Sequence, residues 1–199
     1  ESAQEKIPGT LNAKFKNVAT IFLSINRYEK KKNIALAIEA LKALYDKFDY
    51  VEEKDRSRIH LIIAGGYDLQ NIENLEYAEE LNQLAKKLRI KSHVTFMKNL
   101  TGEQKQFLLQ NCTAVIYTPE NEHFGIVPLE AMYMNRPVIA ANCGGPRETI
   151  INNETGFLCE PNSADSFAEA MHQFIKDKTL SNQMGSRGHH HVVEKFNYQ

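Results

Sequence analysis

The chain has 199 residues, long enough for one domain with a sizeable core, and its 24 Lys and Arg against 25 Asp and Glu leave a formal net charge of −1. The two signs are mixed throughout, which excludes bulk attraction to nucleic acid, and Cys112, Cys143 and Cys159 are too few and too scattered for a disulfide framework or a CxxC zinc site. No apolar run approaches the roughly 20 residues that span a bilayer, and the opening ESAQEKIPG lacks a signal-peptide core, so a soluble piece of a longer protein in a reducing compartment is expected.

Residues 1–16 are polar, contain Pro8 and Gly9, and read as a linker or peripheral arm ahead of one domain over 17–199. The domain alternates apolar runs with amphipathic stretches. VATIFLSI (18–25) is too continuously apolar for a one-sided sheet and predicts a strand buried on both faces. A helix over 34–48 follows, with Ile34, Ile38, Leu41 and Leu44 at helical spacing. RIHLIIA (58–64) is the second strand, closed by Gly65 and Gly66, and 72–88 the second helix. Residues 94–97 make a third strand, 103–110 a helix that Thr101 can cap, and 113–118 a fourth strand. After the segment discussed next, PVIAA (137–141) is a fifth strand, 146–151 a short helix and 156–159 a sixth strand. Ser163 caps a helix to about Lys176, and the closing segment to Phe196 is expected to be helical but interrupted by Gly185 and Gly188. Strand–helix alternation implies right-handed crossovers and an α/β, Rossmann-like, doubly wound parallel sheet. Ligands in such sheets sit beyond the carboxyl ends of the strands, which selects the loops after Ile25, Ala64, Met97, Thr118 and Ala141.

The richest of these loops is YTPENEHFGIVPLEAM (117–132). Pro119 stops the strand, a polar loop carries Glu120 and Glu122, and a helix is expected to begin at Gly125 with Glu130 one turn in. The backbone N–H groups around His123, Phe124, Gly125, Ile126 and Val127 can receive an anion, while Glu122 and Glu130 can accept from hydroxyls. A sugar nucleotide offers both, with diphosphate oxygens for the N–H groups and ribose and hexose hydroxyls for the carboxylates. Either glutamate alone is explained by the helix dipole; the pair, separated by HFGIVPL, is not.

The Glu-x7-Glu spacing with FGIVPLEAM resembles the donor-site motif of family-four retaining glycosyltransferases of the two-domain GT-B kind. NEHFGIVPLEAMYM is similar to the mannosyltransferases that add α-1,3 and α-1,6 mannoses in the dolichol pathway. The resemblance runs from Val18 to Phe196 and is densest over 117–145. It implies the C-terminal, donor-binding half of such an enzyme, with GDP-mannose as donor and no divalent metal or other cofactor. The implied acceptor is a dolichol-diphosphate-linked oligosaccharide at the cytosolic face of the endoplasmic reticulum, met through an N-terminal acceptor domain absent from this chain. Membrane association would come only through the parent protein, and the isolated fragment is expected to bind nucleotide with little or no transfer.

By the same resemblance Arg27 and Lys32, in INRYEKKKN after the first strand, meet the diphosphate, with Lys30 and Lys31 as alternatives to Lys32; a basic turn paired with Glu29 is the structural alternative. Glu122 serves the transferred sugar, Glu130 the ribose, and Leu100 and Lys105 the base loop. Gly65 and Gly66 fit a tight turn as well as they fit backbone approach to a nucleotide. NCGGPRET (142–149) resembles a GG-x-x-E element that supports the donor site. His189, His190 and His191 are consecutive on a helix, point about 100° apart, and read as a solvated surface rather than a metal cluster. A UDP-sugar transferase, a nucleotide-sugar epimerase and a non-catalytic nucleotide-binding module remain alternatives.

Overall fold

A computed structural model describes residues 19–48, 57–120 and 122–196; the expected arm over 1–16 and the start of the first strand at Val18 lie outside them. Six strands, β1 (Thr20–Ile25), β2 (Ile59–Gly65), β3 (Val94–Lys98), β4 (Ala114–Tyr117), β5 (Val138–Ala141) and β6 (Gly156–Cys159), form one parallel sheet in the order β3-β2-β1-β4-β5-β6. The helices are α1 (Ala35–Lys47), α2 (Ile72–Lys87), α3 (Gly102–Asn111), α4 (Ile126–Tyr133), α5 (Pro146–Thr149), α6 (Ala164–Lys176) and α7 (Leu180–Phe196), with short 3-10 turns at Lys30–Lys32 and Lys91–His93.

The continuous apolar runs are explained by burial on both sides. Phe22, Leu61, Ile63, Ile116 and Ile139 point to one face, where Ile38 and Leu41 of α1, Leu81 of α2 and Phe167 and Met171 of α6 cover them. Leu23, Ile62, Val115, Val138 and Ala140 point to the other, against Leu108 and Leu109 of α3, Leu129 and Met132 of α4 and Val192 of α7. Each fully buried Leu, Ile or Phe contributes about 1.5–3 kcal/mol, so the sheet with its two helical layers is the stable frame on which the loops are hung.

Local signals set the helix ends. Thr101 and Gln104 form a reciprocal capping box at the start of α3, and the Ser163 hydroxyl accepts from the Ser166 N–H at the start of α6. The expected interruption of the last helix is not found: α7 runs unbroken over Leu180–Phe196. Its glycines serve packing instead. A Cβ on Gly185 would stand 2.0 Å from the Asn135 carbonyl oxygen, and one on Gly188 3.1 Å from Met132 Cγ, so both admit the end of α4 close against α7. The histidines also depart from expectation. His190 is exposed beside Glu194 (3.1 Å), whereas His189 lies against Tyr133 and His191 is buried against Phe196.

Sequence order reverses between β1 and β4, which are neighbours, so the loops leaving their carboxyl ends diverge and open a crevice above the sheet centre.

Candidate functional site

The β1 loop is built as a rigid basic turn. Tyr28 is fully buried and donates its hydroxyl to the Ile63 and Met97 carbonyls at 3.2 Å each, and the Asn74 side-chain amide donates to the Tyr28 carbonyl. Asn33 closes the turn in the left-handed region, and the buried Thr118 hydroxyl donates to the Lys32 carbonyl at 2.7 Å, tying this loop to the end of β4. The turn's cations diverge. Lys30 reaches Glu80 on α2 at 2.8 Å, and Lys31 reaches Glu29 at 3.1 Å. Lys32 alone of the three faces the crevice, where its ammonium contacts Glu122. Arg27 also lines it, with its side chain 75% exposed and 3.8 Å from Glu29.

Opposite stands α4. Its N-cap, Gly125, has φ 71° and supplies no side-chain cap, and no acidic side chain occupies the first turn, so the helix presents its N-terminal end to the crevice without an internal anion on it. The resulting cavity of about 640 Å³ is lined by Arg27, Lys32, Gly65, Gly66, Glu122, His123, Phe124, Gly125, Ile126 and Val127, all singled out from sequence. Gly65 (φ +149°) is there for space, since a Cβ would fall 2.0 Å from the Asn26 carbonyl oxygen; a Cβ on Gly66 would meet only Arg27 Cγ, at 3.4 Å.

Leu100, Lys105 and Glu130 are not in that lining. Leu100 packs on the apolar layer beneath α3, and the Lys105 ammonium bridges both carboxylate oxygens of Glu130 at 2.7 Å, joining α3 to α4. Glu122 and Glu130 therefore do not share one cavity wall; each is met by its own lysine.

Sequence reasoning passed over Asn26 and Tyr117, which also line the cavity. The carboxyl-edge rule could have found both, because each is the residue at or just past a strand end. Burial, with the Glu122 charge second, pushes the Tyr117 phenol well above its ordinary value, so it stands in the cavity as a neutral hydroxyl. A second cavity of about 740 Å³ shares Glu122 and His123 with the first and adds Glu120, Cys143, Gly144, Arg147 and Glu148. The NCGGPRET turn braces the glutamate loop from this side. The Gly145 N–H donates to the Glu122 carbonyl at 2.8 Å, and a Cβ on Gly144 would lie 2.5 Å from that same oxygen.

Among the described residues no group of three or more His, Cys, Asp or Glu side chains is placed to hold a metal ion, and no helix is long and apolar enough to cross a membrane. The chemistry on offer is two cations and a helix N-terminus for an anion, with a carboxylate and a phenol beside them.

Residues 12–191 match the family described as glycosyl transferases group 1. The chain belongs to that family. Among curated relatives of this glycosyltransferase chain, the human protein named alpha-1,3/1,6-mannosyltransferase ALG2 is 50% identical over 176 residues, which is 88% of this chain and 41% of the relative. The Dictyostelium discoideum protein of the same name is 45% identical over 179 residues, 89% of this chain and 42% of the relative. The chain thus spans about two fifths of the length of these relatives. Among solved structures, the C-terminal domain of a glycosyl transferase group 1 family protein (LpcC) from Francisella tularensis superposes with a TM-score of 0.78 at 23% identity, covering 100% of this chain and 95% of that one. Sucrose-phosphate synthase from Thermosynechococcus elongatus gives a TM-score of 0.80 at 25% identity over 98% of this chain and 45% of its own. The glycosyltransferase fold is that of the six-stranded parallel sheet described above, at the size of the Francisella domain.

Proposed function

We propose that this chain is the nucleotide-sugar-binding domain of a retaining mannosyltransferase that moves mannose from GDP-mannose to a dolichol-diphosphate-linked oligosaccharide at the cytosolic face of the endoplasmic reticulum. The observation that carries the donor site is the convergence of Arg27, Lys32 and the uncapped N-terminus of α4 on one cavity at the point where strand order reverses. The mannosyltransferase names of relatives at 50% and 45% identity support the sugar and the pathway. The acceptor is assigned to the part of such an enzyme that this chain does not span.

In this reading the diphosphate lies between Arg27, Lys32 and the Gly125–Ile126 backbone. The guanidinium forks two phosphate oxygens and the ammonium supplies a point charge. These groups gain most as negative charge builds on the departing diphosphate, and fixed cations and dipoles in a partly closed site cost no reorganisation at that moment. Glu122 accepts from hydroxyls of the transferred mannose, and Glu130, held by Lys105, from the ribose. The acceptor hydroxyl enters on the face from which the diphosphate leaves, bonding to the anomeric carbon as the bond from that carbon to the phosphate oxygen breaks and passing its proton to that departing oxygen, which preserves the anomeric configuration. No divalent cation enters this scheme, because Arg27 and Lys32 carry the charge.

Calorimetric titration of GDP and UDP tests it. The expected result is GDP binding preferred over UDP, with Glu130→Ala losing roughly 1–3 kcal/mol, the range for a deleted partner of a charged hydrogen bond. A clear UDP preference removes the mannose assignment, and no binding of either nucleotide removes the donor site.

A further inference from the structure

Lys32 and Glu122 form an ion pair inside the cavity. Both ends are anchored through the backbone: Lys32 by the Thr118 hydroxyl at 2.7 Å, and Glu122 by the Gly145 N–H at 2.8 Å. The side chains are 16% and 30% exposed, so the pair is better shielded than a surface contact. Of the three lysines in this turn only Lys32 meets Glu122, since Lys30 reaches Glu80 and Lys31 reaches Glu29, while Arg27, on the same cavity, sits by Glu29. A diphosphate arriving at Lys32 meets a carboxylate already on that ammonium, and an anion beside an anion is repelled.

We infer that Glu122 is an internal counter-anion that competes with the diphosphate for Lys32, and that it sets the preference of the site for the sugar-bearing donor over the spent nucleotide. This rests on the proposed donor site. When the donor binds, the hexose hydroxyls give Glu122 new hydrogen-bond donors in exchange for the ammonium it yields. Bare GDP offers no such replacement. It leaves the carboxylate unpartnered beside the phosphates, so the same glutamate that receives the sugar weakens the hold on the product once the sugar has gone.

The test is a double-mutant cycle by calorimetry on the full chain, with GDP and GDP-mannose as probes. Glu122→Gln keeps the shape and removes the charge. It is expected to tighten GDP about three- to tenfold, as for a partly shielded ion pair, and to leave GDP-mannose unchanged or weaker, so the donor-to-product ratio falls. Glu122→Ala carries the same expectation for GDP and serves where the Gln variant is poorly folded. In a Lys32→Met background the GDP gain should shrink below about twofold, because the competition has lost its object. Unchanged or weaker GDP binding in both Glu122 variants overturns the inference. A gain of equal size without Lys32 also overturns it, since general repulsion then explains the effect. Arg27→Ala separates the two levels: if wild type binds GDP and loses it in Arg27→Ala while the Glu122 variants are neutral, only the counter-anion falls. If wild type binds neither probe, donor site and counter-anion fall together.

Discussion

Replacing Gly145 by alanine should disable the nucleotide site while sparing the sheet. The added Cβ would stand 2.3 Å from the Phe124 carbonyl oxygen and 2.7 Å from Phe124 Cα. Ordinary contact begins near 3.4 Å, so the glutamate loop or α5 must retreat by about 1 Å. These neighbours are backbone, with no flexible side-chain tip to swing aside. The Gly145 N–H to Glu122 carbonyl bond of 2.8 Å is then strained or lost, a loss worth about 1 kcal/mol, and overpacking adds about 1–3 kcal/mol. The displaced atoms lead into Gly125 and the N–H groups that open α4, so the anion site itself moves, a loss that outweighs any gain from drawing Glu122 away from Lys32. A shift of 1 Å in a positioned group typically costs about 100-fold in a catalysed step and should weaken GDP by about tenfold or more. Calorimetry gives the affinity, and a thermal melt of the same sample shows whether the domain remains folded. Wild-type GDP affinity in a folded Gly145→Ala protein would refute the claim that this turn holds the glutamate loop in place.

Gly185→Ala should act on stability instead: its Cβ would meet the Asn135 carbonyl oxygen at 2.0 Å, and a loss of about 1–3 kcal/mol is expected as a lower urea midpoint with unchanged slope. An unshifted midpoint would show that α4 and α7 can separate without cost. His172 is buried and stacked on Phe48 with centroids 3.9 Å apart, and burial first, Lys176 second, lowers its pKa below the usual value near 6.5. A lowered folded-state pKa means the unfolded chain takes the proton more readily, so this contribution is complete above about pH 6.5 and lost as pH falls toward the folded value. His172→Gln should flatten that acid-side decline in urea titrations from pH 7 to 5, and an identical decline would contradict it. Burial pushes the Cys112 and Cys159 thiols up to about 12; it also raises the Cys143 thiol, but Cys143 is only half-buried and open to reagent, so alkylation of the native chain at pH 8 should modify one thiol well before the other two, and Cys143→Ser should abolish the early phase.

Much of the fold was legible because a parallel sheet buried on both faces writes its strands as continuous apolar runs. RIHLIIA and PVIAA could be placed to within a residue for that reason. Thr101 and Ser163 were legible because a cap is a local event, decided within three residues. Gly185 and Gly188 were misread because a glycine's neighbour need not be near in sequence. The reason they lie inside an unbroken helix is Asn135 and Met132, about fifty positions earlier. The site divides the same way. The carboxyl-edge rule and the Glu-x7-Glu spacing named the loops, and ten of the singled-out residues line one cavity. Which lysine of KKK faces it depends on Glu80 claiming Lys30 from a different helix and Glu29 claiming Lys31, and no local pattern encodes that choice. The Lys105–Glu130 bridge, 25 residues apart, was equally invisible, although both residues had been named separately.

A crystal structure of this chain soaked with GDP-mannose would show where the donor sits. The diphosphate is expected between Arg27 and Lys32 with its oxygens on the N–H groups that open α4, the mannose beside Glu122 and the ribose toward Glu130. A nucleotide seated away from the β1–β4 crevice, or one whose phosphates touch neither Arg27 nor Lys32, would contradict it.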